Sequence, residues 1–355
     1  MKFDNFKFKP FLNQAVKDLN FIEATNVQEK VIPMVLQNNS LIVKSPTGTG
    51  KTHSFLLPLL ERIDTSLDEV QVIIISPTRE LAMQLFNELG KLLKYNDEID
   101  ARLYVGGTDK DIEIKRLEKK QPQIIVGTIG KIKLLTVDYN SLKIHTAFSL
   151  VVDEADIFFA LNDIEEIDRV FAKLRDEIQL LTFSATIDDV TKVLINKYFR
   201  KCEMLDFGDQ KVLTNIEYLF IPTKNEDKNQ LLLSVLKIYD PYLMLIFANT
   251  NDNVFAIAEF LTNNGYDVSI ISGKVNARER KQTLKKIRSG KVQYVVCSDL
   301  ASRGIDIPGV SHVINYDLPQ DFDFFVHRTG RTGRYNFTGI SLSFYDYTDN
   351  QYIRN

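Results

Sequence analysis

One segment near the start of the chain joins three patterns in an order that few folds allow. The apolar run "LIVKS" at 41–45 is typical of a buried strand, and the glycine-rich turn "PTGTGKT" follows it directly at 46–52. Residues 52–63 then carry the apolar spacing of a helix. A strand, a glycine-rich turn and a helix in this order predict a phosphate-binding loop in an α/β fold.

The residue types in this loop suit a nucleoside triphosphate. Gly48 and Gly50 let backbone N–H groups surround phosphate oxygens, and the helix N-terminus adds partial positive charge. Lys51 is expected to reach the β- and γ-phosphates, and the Thr52 hydroxyl to contact Mg²⁺. The general pattern has glycine where this chain has Ser45. The segment indicates a triphosphate but not what is done with it.

Similar strand patterns recur along the chain and predict two α/β domains. Short β-branched runs alternate with segments of helical period, as in βα units around a parallel sheet. The predicted strands of the first half are 41–45, 72–76, 101–105, 123–127, 149–153 and 180–184. Those of the second half are 217–221, 243–248, 268–272, 294–298, 312–316 and 341–345. The domains are predicted at 1–206 and 214–355, with the polar segment 207–213 as linker.

Composition excludes several classes of protein. The formal net charge of −3 argues against a globally basic nucleic-acid coat, so any RNA or DNA contact must use local patches. Cys202 and Cys297 are the only cysteines, which excludes a disulfide framework and a multi-cysteine metal site. No apolar run approaches the roughly 18 residues of a membrane span, so a cytoplasmic protein is expected.

A pair of carboxylates follows another predicted strand in the first half. Asp153 and Glu154 come directly after "SLVV", at the strand end where α/β sheets bind ligands. Asp153 suits direct or water-mediated contact with Mg²⁺. Glu154 suits orienting and deprotonating an attacking water, which separates hydrolysis from simple binding. With the phosphate loop upstream, the pair predicts a site for Mg²⁺ and a triphosphate.

A cluster of arginines lies near the end of the second predicted domain. The stretch "HRTGRTGR" at 327–334 combines arginines with glycines. Guanidinium groups match phosphate oxygens in geometry, so the cluster indicates phosphate recognition. The stretch alone leaves open a nucleic-acid backbone, a nucleotide, or a solvated turn.

Taken together, the motifs resemble those of the DEAD-box ATP-dependent RNA helicases of superfamily 2. The chain as a whole resembles a compact, bacterial-type helicase core of this family. The letters "DEAD" stand at 153–156, and the other motifs follow the family's order over essentially the whole chain. They are "NFIEATNVQ" (20–28), "SPTGTGKT" (45–52), "PTRELA" (77–82), Gly106–Gly107, "TIGK" (128–131), "SAT" (184–186), "LIFANT" (245–250), Arg280, "CSDLASRGID" (297–306) and "HRTGRTGR" (327–334). Each block is weak alone, and the ordered set is close to diagnostic. The resemblance implies α/β architecture with two tandem RecA-like domains, each a mainly parallel sheet flanked by helices.

The resemblance also implies the residues of a nucleotide site. ATP contacts are implied at Phe3, Gln28, Ser45, Thr47, Gly48, Thr49, Gly50, Lys51, Thr52 and Asp306. The implied catalytic residues are Lys51, Glu154, Arg331 and Arg334, and Mg²⁺ is implied at Thr52 and Asp153. A glutamine amide can pair with adenine N6 and N7, so Gln28 implies ATP over GTP. The implied coupling residues are Asp156, Ser184, Thr186 and His327, with Ser184 and Thr186 hydrogen-bonding to the carboxylate loop.

RNA contacts follow from the same resemblance. They are implied at Pro77, Thr78, Arg79, Gly107, Thr128, Gly130 and Lys131 in the first domain and at Thr250, Arg280 and Ser298 in the second. Glycine backbone, hydroxyls and a few cations suit phosphate and 2′-OH contacts that carry no sequence information. Taken singly, Arg79 is as well explained by an ion pair or a helix cap. The chain departs from the family pattern at Ile129, Lys131, Ala277, Ser298 and Thr329, and none of these carries hydrolysis chemistry.

The implied activity is that of an RNA-stimulated ATPase, a hydrolase that couples ATP binding and hydrolysis to RNA binding and local duplex unwinding or RNP remodelling. The expected cofactors are ATP and Mg²⁺. The expected partners are weakly sequence-selective single-stranded or short duplex RNA and a protein or ribonucleoprotein, with a monomeric core and no membrane. Two alternatives stay open: an ATP-gated RNA clamp that acts as a scaffold, and a DNA-directed helicase on the same fold. A nucleotide kinase would explain only the first half.

Overall fold

The computed structural model describes residues 1–46, 48–187, 189–208, 215–223, 227–299, 307, 309–319, 322–333 and 338–346. The chain divides into two compact units, Met1–Gln210 and Lys211–Asn355. Each unit contains one sheet of parallel strands with helices between them. The predicted class of two α/β domains with parallel sheets is confirmed.

The sheet of the first unit has seven strands in the described residues. They are β1 (Leu41–Lys44), β2 (Val72–Ile75), β3 (Ala101–Tyr104), β4 (Ile124–Gly127), β5 (Ser149–Val152), β6 (Gln179–Ser184) and β7 (Glu203–Asp206). They lie in the order β3-β4-β2-β5-β6-β1-β7, and all neighbouring pairs are parallel.

The helices of the first unit connect these strands. They are α1 (Pro10–Asp18), α2 (Asn26–Leu36), α3 (Lys51–Arg62), α4 (Arg79–Leu92), α5 (Lys110–Lys119), α6 (Ile129–Lys133), α7 (Ala155–Leu161), α8 (Ile164–Phe171) and α9 (Asp189–Tyr198). Two 3-10 turns lie at Phe3–Phe6 and Ile144–Thr146, and a π-helical turn at Leu134–Asp138 extends α6.

Both faces of this sheet are buried, which explains the near-continuous apolar runs of its strands. In β1, Leu41 and Val43 join one core cluster, whereas Ile42 between them joins the cluster on the opposite face. Parallel strands covered by helices on both sides cannot bind a ligand on either face. The carboxyl ends of the strands and the loops that follow them therefore remain for function.

Strand β7 was not predicted from the sequence, and the reason is its position. Its residues Glu203–Asp206 have no apolar alternation and are mostly exposed, because β7 pairs only with β1 at the edge of the sheet. The pairing continues into the predicted linker, where the Phe207 N–H donates to the Lys44 carbonyl at 2.9 Å. The rest of that linker, 209–213, lies outside the described residues, so its limits stay a prediction.

The second unit repeats the same plan with a six-stranded sheet in the described residues. Its strands are β8 (Ile216–Pro222), β9 (Met244–Ala248), β10 (Val268–Ile271), β11 (Tyr294–Ser298), β12 (His312–Asn315) and β13 (Gly339–Tyr345), in the order β10-β11-β9-β12-β13-β8. Its described helices are α10 (Lys228–Ile238), α11 (Asn251–Asn263), α12 (Ala277–Arg288) and α13 (Phe322–Thr329). None of the helices in the described part of the chain has the length and apolar character needed to cross a bilayer.

Candidate functional site

The strand order of the first sheet divides its carboxyl edge into two regions. The phosphate loop, the carboxylate pair and the "SAT" segment follow β1, β5 and β6, which are neighbours in the sheet. The segments after β2, β3 and β4 lie beside them, because these strands are also neighbours. Parallel strands end at the same edge, so one row of loops carries both sets of candidate residues.

The phosphate loop holds itself in place through its own polar groups. The Ser45 N–H donates to the Ser184 carbonyl at 2.9 Å, and the hydroxyls of Ser45 and Thr49 lie 2.7 Å apart. Gly48 and Gly50 have φ angles of 79° and 87°, a region that glycine enters without strain. The buried Lys51 ammonium donates to the Ser45 carbonyl at 2.7 Å. The lysine thus lies inside the loop, where phosphate oxygens are expected.

Gln28 ties helix α2 to this loop. Thr25 and Gln28 form a capping box, in which the Thr25 N–H donates to Gln28 Oε1 at 2.9 Å. The Gln28 amide N–H₂ also donates to the Gly50 carbonyl at 3.3 Å, and the Thr25 hydroxyl donates to the Thr49 carbonyl at 2.6 Å. A Cβ at position 50 would collide with the Gln28 amide, so glycine is required there. Gln28 is 4% exposed, and its contact with adenine stays a prediction.

An aromatic cluster lies beside the start of helix α3. Phe3 is 3% exposed, and its ring stacks on Phe21 with centroids 5.5 Å apart. Phe21 is half-buried, and its ring makes a T-shaped contact with the His53 ring, with centroids 4.7 Å apart. The more accessible ring beside the phosphate loop is therefore Phe21, which lies within the segment 20–28 but was not singled out from the sequence. Phe3 packs against Phe21 on the buried side, and Phe6 packs against Phe3.

The two carboxylates lie where β5 ends. Asp153 is 8% exposed, and its N–H donates to the Ile75 carbonyl at 3.0 Å, which fixes its backbone to β2. Burial raises the pKa of Asp153 to about 7, and the neighbouring Glu154 carboxylate adds to this effect while Lys51 opposes it. Glu154 has a φ angle of 50°, an uncommon backbone conformation for a residue other than glycine. A raised pKa means that the buried carboxylate has too little positive charge around it within the chain. Such a carboxylate is suited to bind an added cation.

The residues present fit a divalent cation that is shared with phosphates. In the described residues no group of three or more His, Cys, Asp or Glu side chains has the arrangement of a metal site. Mg²⁺ in phosphoryl-transfer sites is commonly held by one or two protein groups together with substrate phosphates and water. The hydroxyl of Thr52, which is half-buried at the start of α3, and the Asp153 carboxylate match that pattern.

The "SAT" hydroxyls bond to the carboxylate loop, as the sequence suggested. The Thr186 hydroxyl donates to Asp156 Oδ2 at 2.7 Å, and the Ser184 hydroxyl accepts from the Asp156 N–H at 3.3 Å. The same Ser184 hydroxyl donates to the Thr186 carbonyl. These bonds join the end of β6 to the first turn of α7.

The second region of the edge presents hydroxyls, glycine backbone and a cation. Thr78 caps helix α4 by accepting from the Leu81 N–H at 3.3 Å, and the buried Pro77 precedes it. Arg79 is exposed, and its guanidinium lies against the turn Gly106–Gly107. A Cβ at Gly106 would collide with this guanidinium, so the glycine pair makes space for the arginine. Thr78 is thus both a cap and part of an accessible surface.

Lys131 lies elsewhere than the sequence predicted. Its side chain is 5% exposed, and its ammonium lies 2.5 Å from the Glu113 carboxylate of α5. The other Glu113 oxygen accepts from the Thr108 hydroxyl at 2.7 Å, directly after the glycine pair. Thr128, half-buried, and Gly130, exposed, remain accessible on the same segment. As placed here, Lys131 joins α6 to α5, and its predicted RNA contact is not supported by this geometry.

The second unit places its candidate RNA residues after neighbouring strands as well. Thr250 caps α11 by accepting from the Asn253 N–H at 3.1 Å, in the same position after β9 that Thr78 has after β2. Ser298 ends β11 and is 7% exposed. Arg280 lies in the first turns of α12 and is half-buried. Since β10, β11 and β9 are neighbours, these residues share one edge of this sheet.

Two arginines of the cluster, Arg328 and Arg331, are buried and differ in their hydrogen-bond partners. Arg328 is 1% exposed, and its guanidinium donates to both Asp299 oxygens, to the Asp317 carbonyl at 2.6 Å and to Asn249 Oδ1 at 2.6 Å. These bonds make Arg328 a structural residue. Arg331 is 8% exposed, and its Nε donates to the His327 carbonyl at 3.2 Å.

Some predicted residues have no structural account. Thr47, Asp306 and Arg334 lie outside the described residues. Of the departures from the family pattern, Ile129 is buried in the core, and the buried Thr329 hydroxyl donates to the Val326 carbonyl at 3.2 Å. Both substitutions are therefore accommodated without an unsatisfied group.

Known proteins match this chain over nearly its full length. Residues 25–193 match the DEAD/DEAH box helicase family, and 227–336 match the helicase conserved C-terminal domain. The DEAD-box ATP-dependent RNA helicase CshB of Listeria monocytogenes is 44% identical over 98% of this chain and 80% of its own length. CshB of Bacillus subtilis is 42% identical over the same shares.

The solved structures agree with the sequence matches. Dbp5 of S. cerevisiae bound to RNA and ADP BeF3 is 29% identical, covers 99% of this chain and 91% of its own, and has a TM-score of 0.88. The predicted tandem RecA-like domains are thereby confirmed. With both halves matched in order and the motif residues on the sheet edges where ligands bind, the chain belongs to the DEAD-box family of ATP-dependent RNA helicases.

Proposed function

We propose that this protein is an ATP-dependent RNA helicase that couples ATP binding and hydrolysis to RNA binding and to local duplex unwinding or RNP remodelling. The observation that carries the proposal is the divided edge of the first sheet. Phosphate loop, carboxylates and "SAT" hydroxyls occupy one part, and accessible hydroxyls, glycine backbone and Arg79 occupy the adjacent part. The names of the CshB relatives and the RNA bound to Dbp5 support the same activity.

The chemistry of hydrolysis is assigned to groups of the first unit and to the arginine cluster. Lys51 would exchange its bond with the Ser45 carbonyl for the β- and γ-phosphates. Glu154 would orient the attacking water and accept its proton as the water oxygen bonds to the γ-phosphorus, while the bond from the γ-phosphorus to the β–γ bridging oxygen breaks and ADP leaves. Bound Mg²⁺, held by Thr52 and Asp153, would neutralise phosphate charge. Arg331 and Arg334 would stabilise the transition state, by a factor on the order of 10³–10⁵ for such arginines.

Coupling between ATP binding and RNA binding is assigned to Asp156, Ser184 and Thr186, which lie in the nucleotide part of the edge. These residues are hydrogen-bonded to one another, so the end of β6 is tied to the segment that holds the carboxylates. Coupling between two ligands is reciprocal: RNA that favours the hydrolytic arrangement is itself bound more tightly when ATP is present. RNA contacts are proposed at Thr78, Arg79 and the other accessible residues of the two sheet edges. Lys131 is left out because of its ion pair.

Separation of a short RNA duplex tests this function. The wild-type protein should release the labelled strand with ATP, and a Glu154→Gln variant should bind ATP but release little. A matched DNA duplex should be separated more slowly or not at all. Stable retention of RNA with ATP and no strand release would support the clamp alternative. Preference for the DNA duplex would overturn the assignment to RNA.

A further inference from the structure

We propose that the second half of α12 and the turn after it form an additional RNA-binding surface, which holds the phosphate backbone beyond the motif residues. We call this surface the α12 cationic face and define it by Lys285, Lys286, Arg288 and Lys291. The inference rests on the proposed RNA helicase function and adds a site to it. No motif of the sequence includes these four residues.

The charge of this segment is opposite to that of the whole chain. Residues 279–291 contain six lysines and arginines and one acidic residue, whereas the chain has a net charge of −3. RNA contact in a mildly acidic protein must use such local patches, because attraction to the phosphate backbone depends on clustered cations. This local cluster of positive charge could therefore attract the phosphate backbone of RNA.

The helix presents these cations to solvent. Leu284 and Ile287 face inward and pack on the core of the second unit beside β10. Lys285, Lys286 and Arg288 are all exposed. The helix is thus anchored by one apolar stripe, and the exposed side chains that follow Leu284 in this half are cationic.

The end of the helix is ordered, so the cations keep a fixed spacing. Gly290 has a φ angle of 66°, and its N–H donates to the Ile287 carbonyl at 3.0 Å. The Lys291 N–H donates to the Lys286 carbonyl at 3.0 Å. These two bonds are the Schellman arrangement that closes a helix at glycine. Lys291 is therefore held next to the last turn and does not trail into solvent.

The four cations are not used by the fold. Within the described residues none of the four side chains forms an ion pair, whereas Lys274 on the preceding loop pairs with Asp252 at 2.6 Å and Lys228 pairs with Asp317 at 3.4 Å. A helix C-terminus attracts cations through its dipole. However, α12 has three basic residues in its last turn, whereas α5 has two, α10 has one and α11 has none. The dipole alone therefore does not account for the number of cations on α12.

The face lies on the same helix as an expected RNA contact. Arg280 and Arg288 are eight residues apart, which in a helix is a rise of about 12 Å. Helix α12 runs from the carboxyl end of β10 to the amino end of β11, so the face lies on the flank of the unit, away from the strand ends beside Arg280. An RNA strand that reaches Arg280 would meet the α12 cationic face by turning along this flank for a few nucleotides. A strand already held at Arg280 brings phosphates within this distance, which favours RNA over an acidic protein segment as the occupant. The contact would be with phosphates and so independent of RNA sequence.

RNA length is the variable that tests the proposal. The affinities of a short oligouridine, long enough only for the motif residues, and of a longer one are measured with a non-hydrolysable ATP analogue. The test variant changes Lys285, Lys286, Arg288 and Lys291 to Gln. The control variant changes Lys17, Lys30, Lys201 and Lys237 to Gln, which are exposed lysines on other elements with no ion pair among the described residues. Both variants alter the net charge equally.

The test variant should bind the longer RNA about tenfold more weakly at low salt, with the slope of log K against log [salt] reduced by about 0.7 for each lost phosphate contact. Its affinity for the short RNA and its ATPase kcat at saturating RNA should stay within twofold of wild type. Circular dichroism checks folding, and Lys285→Gln/Lys286→Gln alone should give part of the effect. An unchanged affinity for the longer RNA, or an equal loss in the control variant, would overturn the proposal. In that case wild-type RNA-stimulated ATPase activity would leave the helicase assignment standing, and its absence would remove both.

Discussion

At the scale of the residue, Arg328 shows that an arginine in a phosphate-type motif can serve the fold. Its buried guanidinium bonds to Asp299, Asn249 and the Asp317 carbonyl, and its cation lies 5.3 Å from the centre of the Phe247 ring. Arg328→Ala should lower the free energy of unfolding by about 3–5 kcal/mol, because the Asp299 carboxylate loses its partner in a largely buried site. Urea unfolding measures the change, with the exposed Lys237→Ala as control. A loss below about 1 kcal/mol would contradict the structural role.

The pair Lys131–Glu113 leads to a second prediction at this scale. Glu113→Gln keeps the acceptor for the Thr108 hydroxyl but leaves the Lys131 ammonium buried without a countercharge. We expect this change to destabilise the protein by about 3–5 kcal/mol, and Lys131→Met added to it to restore much of the loss. A double-mutant cycle in urea measures the coupling. If Lys131→Met weakened RNA binding strongly while showing no coupling to Glu113→Gln, Lys131 would be an RNA contact after all.

Asp153 predicts a pH dependence. A carboxyl whose pKa is higher in the folded state than its ordinary value of 3.8 stabilises the fold fully below that value and loses this contribution as the pH rises to about 7. In the absence of nucleotide and Mg²⁺, Asp153→Asn should therefore raise the free energy of unfolding by about 1–4 kcal/mol at pH 8. The advantage should shrink steadily as the pH is lowered towards 4. Equal effects at pH 8 and pH 5 would show that the burial of this charge is not the cause.

At the scale of the element, the glycine turn after β3 leaves the space in which the Arg79 guanidinium lies. Gly106→Ala puts a methyl group where the guanidinium lies, so Arg79 must leave the turn. RNA affinity should fall about tenfold or more, as for the loss of a charge-assisted phosphate contact, while ATP affinity without RNA stays within twofold. Gly90→Ala in α4 is the matched control, because a Cβ there meets nothing within 4 Å. The prediction is tested by fluorescence titration with labelled RNA, and unchanged affinity in Gly106→Ala would contradict it.

The elements differ in how well the sequence could predict them. Strands such as β2 and β4 are buried on both faces, so their apolar runs reveal them directly. Edge strand β7 has one neighbour and exposed side chains, and nothing in "EMLD" distinguishes it from a loop. Its existence depends on the free edge of β1, which is a property of the folded sheet. Local pattern predicts the interior of this sheet and does not predict its boundary.

The candidate site was predictable in part for a similar reason. Strand, turn and helix order predicted the phosphate loop, and the "SAT" hydroxyl bonds to Asp156 followed from the motifs. The partner of Lys131 was not predictable, because Glu113 lies on another helix and meets it only after the sheet forms. The bond from the Gln28 amide to the Gly50 carbonyl was not predicted either, and the expected contact of Gln28 with adenine stays a prediction. Residue types predict chemistry, whereas partners across the fold decide which atoms remain accessible.

At the scale of the whole molecule, two units repeat one arrangement for different purposes. In each, loops after neighbouring parallel strands bring polar residues to one edge. In each, a threonine also caps the helix that follows the unit's second strand: Thr78 after β2 and Thr250 after β9. The first unit adds the phosphate loop and carboxylates, and the second adds the arginine cluster and the α12 cationic face. ATP turnover that depends on RNA would follow from this division, because neither unit alone contains all the groups proposed for hydrolysis.

The measurement that tests this account most directly is steady-state ATP hydrolysis by the purified protein with and without single-stranded RNA. The account predicts slow hydrolysis without RNA and a rate at least about tenfold higher at saturating RNA, with both rates largely lost in Glu154→Gln. Matched DNA should stimulate much less. If the wild-type protein hydrolysed ATP at the same rate with RNA, with DNA and with neither, the coupling of ATP to RNA proposed here would be contradicted.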